Sequence, residues 1–211
     1  MTLRLAVGVL LMLTTASCIG TREYPEKRYY AIELPLPVAS AGADSTSQLD
    51  AVRVARFRVS EAFGGSELVY RVDESQYETD YYHEYLRSPA SLFTDAVRRR
   101  LAAGGLFERV VDTSSAVDTR YTFEGVINAA YGDLRDPDAP AAVLEFQYFV
   151  IDGKDDSVIL QASIRESEPL ANADPAEVVR GLTAALDRAV ESVEVRCAVL
   201  TVRYGNPPDE D

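Results

Sequence analysis

The stretch Tyr121-Thr122-Phe123-Glu124-Gly125-Val126-Ile127-Asn128-Ala129-Ala130-Tyr131 decides the fold. Tyr121, Phe123, Gly125, Ile127, Ala129 and Tyr131 recur at every second position, which in a β-strand puts them on one face. The next segment, Ala141 to Ile151, sets Leu144, Phe146, Tyr148 and Val150 against Val143, Phe149 and Ile151. Apolar side chains on both faces predict a central strand covered on both sides. Asp152-Gly153-Lys154-Asp155-Asp156 reads as a hairpin connection, with Val158 to Arg165 pairing back.

A helix follows. Asp174-Pro175-Ala176-Glu177 has the form of a capping box with proline at the first helical position. Val178, Val179, Leu182, Ala185, Leu186, Ala189, Val190 and Val193 keep one face apolar over five turns. Ala198 to Tyr204 reads as a last strand or an irregular tail. Asn206-Pro207-Pro208-Asp209-Glu210-Asp211 is polar and acidic, and residues 205–211 are expected to be disordered.

Toward the N-terminus lie shorter elements. Arg28-Tyr29-Tyr30-Ala31-Ile32-Glu33-Leu34 reads as a strand ended by Pro35 and Pro37. Residues 38–48 have loop composition. Val52 to Val59 alternates apolar residues with Arg53, Arg56 and Arg58, predicting one half-buried strand with a basic face. Leu68 to Val72 is a third strand after the Gly64-Gly65 turn. In a fourth, Tyr77, Thr79, Tyr81, His83 and Tyr85 fall on one face, while Glu78, Asp80, Tyr82 and Glu84 fall on the other. Ser88-Pro89 supplies an N-cap and a first-turn proline for a helix whose stripe is Leu92, Phe93, Ala96, Val97 and Leu101. Gly104-Gly105 ends it, and Leu106 to Val111 reads as a short strand. The expected fold class is α+β: a single domain over residues 28–204, a mixed sheet of about seven to nine strands carrying two amphipathic helices.

Composition excludes more than it assigns. The chain has 211 residues, 47% hydrophobic, with 21 Lys plus Arg against 34 Asp plus Glu, a formal charge of -13. A core is affordable, but a nucleic-acid partner, which needs cations on phosphate, is not expected. Two cysteines cannot build a disulfide scaffold or a four-cysteine zinc site. No Gly-rich Lys-Ser/Thr loop, G-x-G-x-x-G or G-x-S-x-G motif is present. The carboxylates show no calcium-loop spacing, so no metal or cofactor is expected. The single imidazole, His83, would need a nucleophile and an orienting acid; Asp80 and Glu84, on the opposite strand face, do not supply one. No enzyme is expected.

The first residues read as an address. Leu5 to Leu13 is an apolar run of nine residues, short of the roughly 20 that span a bilayer and of signal-peptide length. Thr14-Thr15-Ala16-Ser17 precedes Cys18 in the manner of a bacterial lipobox, although Thr15 stands where leucine is usual. The expectation is a signal peptide over 1–17 and a Cys18 carrying diacylglycerol and an N-terminal acyl group. Ile19 after the cysteine resembles an outer-membrane address. Residues 18–27 would be a tether: the nine residues after Cys18 reach about 30 Å at roughly 3.3 Å each. Cleavage removes only Arg4 from the charge count and leaves -14. Cys197 reads as a small buried hydrophobe, with an intermolecular bridge as the alternative.

The ordered set resembles a known family, the ABC-type transport auxiliary lipoproteins of the paraquat-inducible protein C type. The resemblance is carried by Tyr30-x-Ile32-x-Leu34-Pro35 and by Glu67-Leu68-Val69-Tyr70-Arg71 before a tyrosine-rich strand. Ser88-Pro89, Gly105-Leu106-Phe107-x-x-Val110-Val111 and Tyr121-x-Phe123-x-Gly125 continue it. Tyr85-Leu86-Arg87 stands where the family often has a tryptophan. The resemblance implies an outer-membrane lipoprotein that docks an MCE-domain protein and its ABC permease and ATPase, moving phospholipid or other hydrophobic molecules across the envelope. A ring-like homo-oligomer is implied by analogy alone. From the residues themselves, Tyr77, Tyr81, Tyr85, Arg98 and Arg99 are the candidate partner or lipid contacts. A lipid held between helices and sheet is the alternative reading.

Overall fold

The computed structural model describes residues 26–37 and 48–204, with side chains up to Leu200. Cys18, the signal segment, most of the tether, residues 38–47 and the acidic end lie outside the described residues.

The described chain forms nine strands and two helices in one curled mixed sheet with a helical layer. The strands are β1 (Arg28–Tyr30), β2 (Val52–Val54), β3 (Arg58–Val59), β4 (Glu67–Arg71) and β5 (Tyr77–Tyr85), then β6 (Val110–Asp112), β7 (Tyr121–Asp133), β8 (Ala141–Asp152) and β9 (Ser157–Pro169). The helices are α1 (Pro89–Gly104) and α2 (Pro175–Tyr204). β7 is the hub. One edge pairs antiparallel with β8 along its length, and β8 pairs antiparallel with β9. The other edge is shared by three short parallel strands in succession: β2 at Tyr121–Phe123, β3 at Val126–Ile127 and β4 at Gly132–Asp133. Outside β2 lies β6; outside β4 lie β5 and then β1.

Both helices cover the face that carries Phe123, Ile127, Phe146 and Tyr148, forming one core. Leu182, Leu186, Val190 and Val193 of α2 are no more than 1% exposed. Burial on that scale is worth about 1.5–3 kcal/mol for each large side chain and holds the helix far better than propensity does. α1 starts as expected, with the Ser88 hydroxyl accepting from the Ser91 amide, and ends on Gly105 at φ 69°. That left-handed conformation suits glycine.

The alternation along β7 reverses part-way. A register shift between Ile127 and Ala129 leaves Asn128 unpaired and exposed. Tyr121, Phe123 and Ile127 face the helices, but Ala129 and Tyr131 turn to the opposite face. There they pack with Val69, Val143 and Phe63 in a second, smaller cluster. The expected single face over 121–131 is therefore wrong beyond the bulge, because one extra residue inverts a period of two.

Other expectations are corrected locally. β8 is fully covered on one face only; Phe149 and Ile151 on the other are half-buried. The strand expected over 52–59 breaks into β2 and β3. Between them Phe57 turns in over Gly125, where an added Cβ would lie 2.6 Å from its ring. The strand expected over 28–34 stops at Tyr30, because β5 ends at Tyr85 and leaves no partner. Ala31 to Pro37 continues without regular pairing, with Ile32 and Leu34 in the core. The short strand after α1 is Val110–Asp112; Leu106 and Phe107 precede it, with one bridge from Phe107 to Leu49. Residues 198–204 are neither strand nor tail but the continuation of α2.

Cys197 sits in this core with no exposed surface, and burial pushes its thiol up to about 12. That environment closes the intermolecular bridge left open by the sequence. Gly125 gives the sharpest test of the packing. Gly125→Ala forces the Phe57 ring off Phe146, on which it stacks at 5.6 Å. Overpacking of this kind costs about 1–3 kcal/mol. Thermal or urea unfolding should show that loss, and unchanged stability would contradict the close approach.

Candidate functional site

Two surfaces carry the chemistry: a tyrosine-rich sheet edge formed by β4, β5 and β1, and the helical face crossed by Ala31 to Leu36.

The edge is organised by a bulge. Glu67 of β4 pairs with Glu84 of β5, but its neighbour Leu68 pairs with Asp80, so Tyr81-Tyr82-His83 are extra. Asp80 folds back under them. Its Oδ1 accepts from the Tyr82 amide at 2.9 Å and the His83 amide at 3.1 Å. Its Oδ2 accepts from the Tyr70 hydroxyl at 3.0 Å and lies 2.8 Å from His83 Nδ1. Strict alternation, which put Asp80 and His83 on opposite faces, fails here because the bulge resets the count. Partial burial works against the Asp80 charge, yet these hydrogen bonds prevail and its pKa lies below the ordinary carboxylate range. The Tyr70 hydroxyl is pushed well above the ordinary phenol range, by burial first and by the Asp80 charge second. Asp80 and His83 have the geometry of an orienting acid and an imidazole. What they touch, however, is Tyr70, whose hydroxyl bonds the same carboxylate, and the Tyr30 ring at 5.9 Å. The cluster pins the bulge.

The expected contact residues separate. Tyr85 is 5% exposed and packs in the core, so it is not a surface contact. Tyr77 is exposed on the face away from the helices, its ring edge-on to Tyr131 at 5.6 Å. Tyr81 is 67% exposed and stands beside Tyr82. Arg98 is half-buried on α1, 3.9 Å from Asp95, and Arg99 is exposed.

The Arg98-Arg99-Arg100 run, near a helix C-terminus where the dipole favours cations, reads from the sequence as a solvated face, and Arg100 departs from that reading. It donates from Nε and Nη2 to both Glu194 carboxylate oxygens at 2.9 and 3.0 Å, and from Nη1 to Asp187 at 2.9 Å and the Pro35 carbonyl at 2.8 Å. One guanidinium thus ties α1, α2 and the crossing segment, as its forked geometry favours. The legible signal was Asp187 and Glu194, seven apart and so on one face of a helix.

Two grooves flank the crossing segment. One, of about 230 Å³, is lined by Ile32, Leu34, Leu86, Leu92 and Arg99, with Leu36 55% and Leu86 61% exposed. The other, of about 510 Å³, lies against α2 at Val179, Thr183, Ala184 and Asp187. Both are external. The space between helices and sheet is filled by side chains such as Leu186, Val190, Phe146 and Tyr148, each without exposed surface. That filling speaks against a lipid held there. Among the described residues no group of three or more His, Cys, Asp or Glu is placed to hold a metal.

A curled sheet with both helices on one face and a tyrosine-rich edge defines a compact α+β domain. The family model described as ABC-type transport auxiliary lipoprotein component matches residues 30–194, and the chain belongs to that family. Among solved structures, protein XCC0632 from Xanthomonas campestris, of family DUF330, is similar at TM-score 0.69 and 16% identity over 83% of this chain and 97% of its own. An uncharacterized protein is similar at TM-score 0.64 and 13% identity, over 81% and 98%. The hypothetical protein CT253 from Chlamydia trachomatis is similar at TM-score 0.51 and 12% identity, over 72% and 99%. At these identities the likeness shows the fold. Comparison with curated proteins gives no match.

The Asp80 cluster generates a pH prediction. A carboxylate whose folded pKa is depressed adds stability above its unfolded pKa, and that stability is lost as pH falls through the folded value. Asp80→Asn should therefore cost about 1–3 kcal/mol at pH 7, in line with the loss of charge-assisted bonds. The gap to the parent should narrow below about pH 4, near the ordinary Asp value. Urea unfolding across pH checks it; a gap independent of pH would contradict the charged role.

Proposed function

We propose that this chain is an outer-membrane lipoprotein of a Gram-negative envelope, lipidated on Cys18, that serves as the docking component of an MCE-type ABC transport system. Its work is to hold the transporter's MCE-domain protein, and through it the permease and ATPase, at the membrane. The cargo class is phospholipid or another hydrophobic molecule. The observation that carries the reading is the family match over residues 30–194, set behind a cysteine preceded by a signal-like apolar run.

The domain suits an adaptor. The proposal involves no catalysis: the Asp80–His83 pair is consumed in holding a bulge. The groove beside Arg99 is the surface we assign to the protein partner. Leu36 and Leu86 offer apolar area at its rim, with Arg87 and Arg99 beside them. Interfaces combine apolar centres with arginine in this way.

Two measurements test the proposal. Cys18→Ala should abolish sedimentation with the outer membrane in high salt; retention there would refute lipid anchoring. Affinity purification of the full lipoprotein from detergent extract should recover MCE and permease subunits. Leu86→Asp combined with Arg99→Glu should cut that recovery at least several-fold while leaving the domain folded. Consistent absence of those subunits from the parent sample would refute the transport assignment.

A further inference from the structure

The tether enters the domain at an aromatic patch. Cys18 is followed by nine residues before Arg28, and Arg28 begins β1, the edge strand of the sheet. At that entry Lys27 pairs with Glu84 and lies over the Tyr81 ring, 4.5 Å from its centroid. Tyr82 stands edge-on to Tyr81 at 5.1 Å and 89°. Tyr29, two residues after Lys27 on β1, stands in register with Glu84, the partner of Lys27. Tyr29, Tyr81 and Tyr82 are 56%, 67% and 38% exposed. Scattered exposed apolar residues need no explanation, but two adjoining rings with a third on the neighbouring edge strand do.

The β5 bulge is what presents two of these rings side by side, since Tyr81 and Tyr82 are consecutive and would otherwise face opposite ways. The Asp80 carboxylate holds the turn. Two acids beside the patch are engaged: Glu84 with Lys27, and Asp80 with His83 and Tyr70.

We infer that this patch, Lys27, Tyr29, Tyr81 and Tyr82, is the footing of the domain on the phospholipid headgroup layer. The inference rests on the anchored reading above: a chain fixed at Cys18 and only about 30 Å from β1 at full extension keeps this edge within reach of the bilayer. Tyrosine suits that depth, with an apolar ring and a polar tip, and so does a lysine whose stem lies along a ring. The net charge of -14 on the cleaved chain gives no general attraction to an anionic surface, so the contact is with zwitterionic headgroups and is insensitive to salt. The footing orients the domain, turning this edge toward the membrane and the opposite sheet edge away from it.

The chain has no tryptophan, so a single introduced indole reports its own surroundings. Tyr81→Trp and Val158→Trp are made in the lipidated full-length protein and reconstituted on phosphatidylcholine vesicles with and without brominated acyl chains. Val158 is 52% exposed on β9, the opposite sheet edge, and its register partners Ile151 and Thr122 place it at the opposite end of β7 from β4. The inference predicts at least two-fold quenching of Tyr81→Trp by brominated lipid, unchanged in high salt, and no quenching of Val158→Trp. Flotation with the vesicles is scored separately. A protein that floats with both tryptophans unquenched, or both equally quenched, overturns the footing alone. Quenching abolished by salt overturns the zwitterionic contact. A protein that does not float overturns the anchored reading and the footing with it. In the same preparation, Tyr29→Ser with Tyr82→Ser should weaken the quenching at position 81; undiminished quenching would overturn the shared patch.

Discussion

A strand has two edges, and everything in this domain depends on how β7 uses them. One edge is given whole to β8. The other is divided among β2, β3 and β4, which arrive in parallel from three separate points in the chain. The division makes the sheet branch: β6 extends it beyond β2, while β5 and β1 extend it beyond β4. The bulge at Asn128 falls between the β3 and β4 pairings, where it inverts the faces. Below it β7 feeds the core under the helices; above it Ala129 and Tyr131 feed the outer cluster with Phe63 and Val69. A continuous alternation would have left Tyr131 under α2 and the outer cluster without its centre.

Long elements were legible because their signals are redundant. β8, β9 and the start of both helices follow from periodicity, from the Ser88 cap and from the first-turn prolines Pro89 and Pro175. The misreadings share one cause: a single residue can shift a period of two, and nothing in Asn128 or in Tyr81-Tyr82-His83 announces a bulge. The same holds for the site. Asp80 was assigned to the wrong side of its strand, Tyr85 to the surface rather than the core, and Arg100 to solvent rather than to Glu194 and Asp187. Asp80 is displaced by the local bulge, whereas Tyr85 and Arg100 depend on packing or partners far along the chain, which local pattern does not record. The end of α2 is different. Exposed Val195 and Val199 on the outer face obscure a stripe that continues through buried Cys197 and partly buried Leu200, and this burial carries the helix on.

The two surfaces are held by different physics. The tyrosine-rich edge relies on one carboxylate accepting several hydrogen bonds at a bulge. The groove beside Arg99 relies on Arg100 fixing the crossing segment to both helices, so that Leu36 stays beside α1. Ion pairs elsewhere, such as Arg188 with Glu166 and Glu168, join α2 to β9 but are partly exposed and individually worth little. The edge and the groove are joined through the sheet that β7 organises.

Native-state hydrogen exchange resolved by residue tests that dependence most directly. If β7 is the hub, the amides of Val126, Ile127, Ala130 and Tyr131 exchange only through global unfolding, and the β1–β5 edge and the crossing segment lose protection no later than they do. Protection of α2 or of the β8–β9 hairpin that outlasts β7 would contradict the account.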